Sequence, residues 1–229
     1  MQKTFCVIPA RNEAEQIALV IRRARGFVDQ VIVVDDGSTD GTSSCARMAG
    51  AVVVALPHPC GKGVALRRGI DTALSSGADV IILLDGDGQH EASEIPKFLE
   101  MSGRWPGEMI LGNRMRAAGN MPRARRWTNR VMSRILSVWT GREIPDSQCG
   151  FRLIPSALAR KWRLRSAHFE IESEMIMQAA ALGGQIRSVP IECLYFSTRR
   201  SHILPGRDAW RWIWYMVFHG SRCREKVAS

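Results

Sequence analysis

Tyrosine is scarce and long apolar runs are missing. The 229 residues hold 2 Tyr beside 7 Phe and 7 Trp. No stretch reaches the ~18–20 apolar residues that cross a bilayer. An integral membrane protein is therefore not expected, while attachment to a membrane surface stays open. The N-terminus MQKTFCVIPARNE runs straight into a strand and a polar loop, so no signal peptide is expected. The six cysteines, at 6, 45, 60, 149, 193 and 223, form no CxxC pair. Their spacing points to neither a zinc site nor a disulfide framework, and isolated thiols suit a reducing cytosol. Internal repeats, low-complexity stretches and an evident flexible linker are absent, as is an RNA-binding aromatic motif.

What is present is a chain able to bury a core: 45% hydrophobic, long enough for one large domain or two small ones. The formal net charge is +10, and it is uneven. Residues 1–100 carry 10 Lys and Arg against 13 Asp and Glu, whereas residues 101–229 carry 22 against 9. The basic excess lies wholly in the second part and is mostly Arg. Such a surface suits nucleic acid, an anionic membrane or a phosphorylated substrate, and an Arg-rich genome would also produce it.

The first part alternates apolar runs with amphipathic stretches. Residues 5–9, 31–35, 51–56 and 80–85 read as buried strands, and 13–25, 42–50 and 63–75 as helices. This alternation predicts a mostly parallel sheet covered on both faces, with ligands beyond the carboxyl ends of its strands. The polar clusters fall at those ends, at 10–13, 35–40 and 85–90. In the second part, 109–111 and 186–196 read as strands, and 122–139 and 170–182 as helices. Arg123, Arg126, Arg130 and Arg134 make one basic stripe on the 122–139 helix, beside an apolar stripe of Trp127, Val131, Ile135 and Val138. The tail 208–219 reads as a helix apolar on almost every side, rich in Trp and interrupted by Arg211. It suits an interfacial helix on anionic lipid, or equally a helix packed on the domain or on a second subunit.

Four motifs carry chemistry. Asp85-Gly86-Asp87-Gly88-Gln89-His90 leaves the run VIILLD with two carboxylates two residues apart. They can converge on a hard cation such as Mg²⁺ or Mn²⁺, or form an acidic surface turn. Asp35-Asp36-Gly37-Ser38-Thr39-Asp40-Gly41-Thr42 can accept hydrogen bonds from a ribose or a base, or can make a turn and an N-cap. Gly61-Lys62-Gly63 opens a helix and can offer a cation and backbone N–H groups to phosphate, although it lacks the spacing of a P-loop. Pro9-Ala10-Arg11-Asn12-Glu13 alone is a polar loop.

In that order the four resemble the nucleotide-sugar domain of glycosyltransferase family 2. The resemblance continues through Gly112-Asn113-Arg114, Asp146-Ser147-Gln148-Cys149-Gly150-Phe151-Arg152 and Phe169-Glu170-Ile171-Glu172. It is strongest toward the dolichyl- or polyprenyl-phosphate mannose and glucose synthases, and covers about residues 5–200. It implies an α/β GT-A (Rossmann-like) fold over residues 1–205, with a mixed, mostly parallel sheet; the tail at 206–229 lies outside the resemblance and reads from its own residues as an amphipathic helix suited to membrane association. The resemblance places Pro9, Arg11, Glu13 and Asp36 at the base and ribose, with Arg11 standing where the family often has Tyr. Lys62 falls near the nucleotide, and Asp85, Asp87 and Gln89 hold Mg²⁺ or Mn²⁺ on the diphosphate. Arg114 meets phosphate, and Asp146 stands at the acceptor-side carboxylate. Arg200, Ser201 and His202 loosely resemble a basic segment that meets the acceptor.

The implied reaction is a metal-dependent, inverting transfer of a hexose from GDP-mannose or a UDP-hexose to a lipid, with polyprenyl phosphate as the leading acceptor. A hydroxylated lipid or polyketide-like acceptor would need Asp146 as general base, with Arg114 and Asp87 completing the catalytic set. The expected site of action is the cytoplasm, peripherally at the cytoplasmic face of the membrane, without nucleic acid as partner. A nucleotidyltransferase would be expected to open with a Gly-rich loop, which PARNE is not. A non-catalytic nucleotide-binding or membrane-surface protein explains the charge but not acidic clusters at successive strand ends.

Overall fold

The computed structural model describes residues 2–116 and 121–193, together with Trp212 and Tyr215. Seven strands form one sheet. They are β1 (Thr4–Ala10), β2 (Gln30–Asp35), β3 (Val52–Ala55), β4 (Val80–Leu83), β5 (Met109–Asn113), β6 (Arg152–Pro155) and β7 (Ile186–Pro190), in the order β3-β2-β1-β4-β6-β5-β7. Pairing is parallel except on both sides of β6, which runs antiparallel to β4 and to β5. The expected α/β fold with a mixed, mostly parallel sheet is what the chain adopts.

Helices cover both faces because each strand alternates its side chains. Phe5, Val7, Ile32, Val34, Ile81 and Leu83 enter one apolar cluster. It is shared with α3 (Lys62–Ser75), α5 (Arg123–Thr140) and α7 (Ile171–Ala181). Cys6, Ile8, Val31, Val33, Val80 and Ile82 enter the other, shared with α1 (Ile17–Ala24), α2 (Thr42–Met48) and α4 (Ile95–Arg104). A short α6 (Ser156–Ala159) follows β6. Side chains such as Phe98, fully buried and stacked on Phe151 at 4.2 Å between ring centroids, contribute about 1.5–3 kcal/mol each by burial.

Several expected boundaries move. The first helix begins at Ile17 rather than at residue 13, because Asn12 adopts a left-handed φ of 55° and residues 13–16 form a turn. The fourth strand stops at Leu83, which leaves Asp85 in the following loop. Of the strand expected over 186–196, Ile186–Pro190 is regular among the described residues, and 194–196 lie outside them. Two elements carry no pattern a sequence reading would catch. α4 includes Pro96 and Gly103, and β6 is four residues opening on Arg and closing on Pro.

On helix α5 both expected stripes lie largely outward: Arg123, Arg130 and Arg134 are exposed, and of the apolar stripe only Ile135 packs on the core. Trp127 and Val138 are 68% and 67% exposed. The buried face is Asn129, Ser133, Leu136 and Thr140. Polar residues face inward because they meet the buried polar loop 146–148, as the hydrogen bond between the Ser133 and Ser147 hydroxyls shows. Of the C-terminal segment, Trp212 is buried in the α3/α5/α7 cluster and Tyr215 packs against it. The indole Nε1 of Trp212 donates to Ser173 Oγ at 2.8 Å. At Trp212 the tail therefore packs on the domain.

Candidate active site

The strand order reverses between β1 and β4, and a crevice at such a switch point is the ligand position of open α/β sheets. The loops leaving β1 and β2 clasp each other there. Asn12 N–H donates to Ser38 Oγ, Thr39 N–H to Asn12 Oδ1, and Glu13 N–H to Thr42 Oγ1, each at 2.9 Å. Asp35 and Asp40 serve the turn itself: Asp35 accepts from Ser38 N–H and Ser43, and Asp40 from Thr42 and Ala14 N–H. Asp36, nearly buried, accepts from Cys60 N–H at 2.6 Å and Gly61 N–H at 2.9 Å. It ties the β2 loop to the start of α3. Pro9, next to last in β1, is half-buried, and Arg11, just past the strand end, is exposed.

The Gly61-Lys62-Gly63 turn departs from the phosphate cradle expected of it. Gly63 and Val64 N–H both donate to the Ala167 carbonyl, at 2.8 and 3.3 Å. Gly61 has φ 101°, and a Cβ there would lie 2.5 Å from the same carbonyl oxygen. The glycines bring two chain segments together. Lys62 Nζ is thereby held 2.8 Å from Asp85 Oδ1 and 2.7 Å from Glu172 Oε1, with the Phe169 ring 5.6 Å away.

Burial alone would raise the Asp85 carboxyl. The Lys62 ammonium, aided by His90 and Arg114, more than reverses this and holds it at about 2. Burial opposes charge on Lys62, but the carboxylates of Asp85 and Glu172 push its pKa up. His90 lies on the other side, Nε2 3.8 Å from Asp85 Oδ2, and burial depresses its pKa to about 4 despite that carboxylate. Asp87 Oδ1 accepts from Gln89 N–H at 3.0 Å, closing the turn. Gly150 backs this site: a Cβ there would fall 2.3 Å from Asp85 Oδ2. Behind the turn, a cavity of about 310 Å³ is lined by Gln16, Leu19, Val20, Gly88, His90 and Glu91 among others.

Deeper in the same site, Arg114 and Asp146 form a two-pronged pair. Nε donates to Oδ2 at 2.8 Å and an Nη to Oδ1 at 2.9 Å; Arg114 N–H and Asn129 Nδ2 add 3.0 and 2.8 Å contacts. Asp146 is fully buried. Burial would raise its pKa, but Arg114 and these donors bring it below the ordinary range. Arg152, fully buried on β6, donates to the carbonyls of Cys149, Glu172 and Ser147 at 2.6–2.8 Å. It fastens the 146–152 loop to α7.

The fold thus brings Asp85, Lys62 and Asp36 into one connected set, with Asp87 and Gln89 on the adjoining turn and Glu13 on the neighbouring loop. Arg114 and Asp146 stand near enough for Arg114 to act on Asp85 and His90. Arg200 and His202 lie outside the described residues, as do Arg199 and Ser201. Glu172, Asn129 and Arg152 join this network although the sequence assigns none of them a role. Glu172 and Arg152 stand within the Phe169–Glu172 and Asp146–Arg152 motifs, and nothing local marks Asn129. Three oxygen-bearing side chains on one turn suit a hard cation. Among the described residues no group of three or more His, Cys, Asp and Glu forms a ready cage. Oxygen donors of this kind are the hard type that Mg²⁺ and Mn²⁺ take.

Carboxylates and a buried lysine thus gather at the switch point of a mixed α/β sheet, beyond the carboxyl ends of its strands. Residues 5–163 match the family described as Glycosyl transferase family 2. The chain belongs to that family and is a glycosyltransferase. It is 35% identical over 190 residues to glycosyltransferase AglJ of Haloferax volcanii, covering 81% of this chain and 61% of that one. It is 30% identical over 205 residues to the undecaprenyl-phosphate mannosyltransferase of Micrococcus luteus, with 82% of each chain covered. Its fold is similar to that of glucosyl-3-phosphoglycerate synthase from Mycobacterium tuberculosis in complex with Mn²⁺ and UDP-glucose. The TM-score is 0.76 at 22% identity, over 97% of this chain and 79% of that one.

Proposed function

We propose that this chain transfers a hexose from a nucleoside diphosphate to the phosphate of a polyprenyl-type lipid. A phosphate oxygen attacks the anomeric carbon from the side opposite the diphosphate. The bond from that carbon to the diphosphate oxygen breaks, and the nucleoside diphosphate departs with configuration inverted. Asp36, Glu13, Arg11 and Pro9 would receive the nucleoside. Asp85, Asp87 and Gln89 would hold a divalent cation, which when bound supplies charge neutralisation for the leaving diphosphate. Holding donor and acceptor in line supplies much of the remaining acceleration.

The observation that carries the choice of acceptor is the state of Asp146. An alcohol needs a general base, and Asp146 is the candidate the motif offers. Its two oxygens already accept from Arg114 and Asn129, and its pKa is lowered. A carboxylate so engaged has little basicity to lend. A lipid phosphate is already ionised and needs none. Arg200 and His202 would meet that phosphate, and the acceptor of the Micrococcus luteus relative supports the same class.

Membrane contact belongs to this reading, at the cytoplasmic face. The exposed side of α5 sets Arg123, Arg130 and Arg134 beside Trp127, Val131 and Val138. Its buried side reaches Asp146 through Asn129. One helix would so join an anionic bilayer to the acceptor end of the site. Residues 206–229 would add a second contact beyond Trp212.

A donor panel tests the proposal: GDP-mannose, UDP-glucose and UDP-N-acetylglucosamine, each with a polyprenyl phosphate and with the matching free polyprenol. Sugar appearing on the phosphate alone is the expected result. Transfer to the free alcohol at a comparable rate would replace this acceptor by a hydroxylated lipid and return Asp146 to the role of base.

A further inference from the structure

Lys62 is an unusual choice for its position. It is the first residue of α3, where the helix dipole disfavours a cation. Its side chain is 17% exposed, and its ammonium bridges two carboxylates from distant parts of the chain, Asp85 and Glu172. The two partners differ. Glu172 is 6% exposed and fixed on α7, whereas Asp85 is 24% exposed on a glycine-flanked turn. Only Asp85 belongs to the carboxylates proposed to meet a cation. A divalent ion arriving alone would meet a carboxylate already neutralised, next to a like charge. A nucleoside diphosphate arriving with the ion brings the anionic oxygens that Lys62 can turn toward.

Resting on that reading of Asp85, we propose that Lys62 makes metal binding conditional on nucleotide and that Glu172 moderates this coupling. Before either arrives, Lys62 would keep its pairing with Asp85. When metal and diphosphate enter together, Asp85 passes to the metal while Glu172 keeps Lys62 from becoming an unpaired buried cation. Metal and nucleotide affinities are then coupled, and each strengthens the other by the same factor. The chain would not hold free Mg²⁺ or Mn²⁺ between turnovers.

The test is Mn²⁺ titration of the full chain, read from the electron paramagnetic resonance signal of unbound Mn²⁺, without nucleotide and with UDP or GDP. Wild-type protein is expected to bind Mn²⁺ at least about tenfold tighter with the matching nucleotide, within the usual range of coupling. K62M is expected to bind free Mn²⁺ about tenfold tighter than wild type and to lose most of the nucleotide enhancement. E172Q leaves Lys62 to Asp85 alone, so its free Mn²⁺ affinity falls and its enhancement grows. Circular dichroism identifies which variants fold, and whichever folds decides. Unchanged free affinity and unchanged enhancement in that variant, with enhancement present in wild type, overturn this inference alone. A wild-type chain that binds Mn²⁺ with neither nucleotide overturns the metal assignment as well.

Discussion

Asp85 and Asp87 leave the same turn with different tasks. Asp85 is held by a lysine and faced by a histidine, while Asp87 closes its own turn on the Gln89 amide. If Asp87 supplies a metal oxygen, D87A is expected to lower Mn²⁺-dependent transfer by at least ~100-fold, the scale of losing one charge-stabilising group in a site. Its melting temperature should stay close to that of wild type, because the side chain is not part of either apolar cluster; retained transfer would remove Asp87 from the ligand set. His90 yields a prediction about stability. Its pKa is about 4 in the folded chain against an ordinary 6.5, so between those values the unfolded chain binds more protons. Stability therefore rises with pH across that window and is lost as pH falls from about 6.5 toward 4, by up to roughly 3 kcal/mol. Urea denaturation of the metal-free chain at pH 7 and pH 5 should show this loss, and H90Q should lack most of it. The Asp85 contribution, with a folded value of about 2, falls away only below pH 4 and does not overlap.

Helix α5 shows how one element serves two environments. Its inward side is polar because Asn129 and Ser133 complete the hydrogen bonds of a buried carboxylate and its loop. Leaving such groups unpaired in the interior would be costly. Its outward side is then free to carry Trp127 and Val138 among arginines. Each arginine near an anionic surface is worth about 1 kcal/mol. R130A/R134A is thus expected to weaken partition onto phosphatidylserine vesicles by roughly 30-fold, about 2 kcal/mol in total. Vesicle co-sedimentation reads this directly, and equal sedimentation of variant and parent would take the membrane surface away from α5. Donor binding should be untouched, since neither arginine reaches the 85–90 turn.

At the scale of the whole molecule, the uneven charge acquires a spatial sense. The acidic first part builds the strand ends at which the nucleotide is proposed to sit, and the arginines of the second part divide between inside and outside. Arg114 and Arg152 are buried pairs or ties, while Arg123, Arg130 and Arg134 are exposed. The C-terminal segment belongs to this scale too. Trp212 joins the apolar cluster of α3, α5 and α7 and holds Ser173, the neighbour of Glu172. W212A is expected to cost about 3–5 kcal/mol in urea denaturation, the range for truncating a buried Trp. A change below about 1 kcal/mol would mean that the indole is peripheral to the core.

The sequence by itself determined the α/β class, the first four strands and the polar clusters at their carboxyl ends. These are local properties: β-branched runs, amphipathic spacing and turn residues declare themselves within a few positions. It also held the family resemblance, because motif order survives along the chain. Only the tertiary structure decided which charges meet. Lys62 and Glu172 are 110 residues apart, and Arg114 and Asp146 are 32 apart, separations that no periodicity reports. It decided as well that β6 enters the sheet antiparallel, that the amides of Gly63 and Val64 are spent on Ala167, and that α5 turns its asparagine and serine inward. Each depends on bringing polar groups out of water, where an unpaired charge or amide is expensive and partners are chosen by proximity rather than by place in the chain.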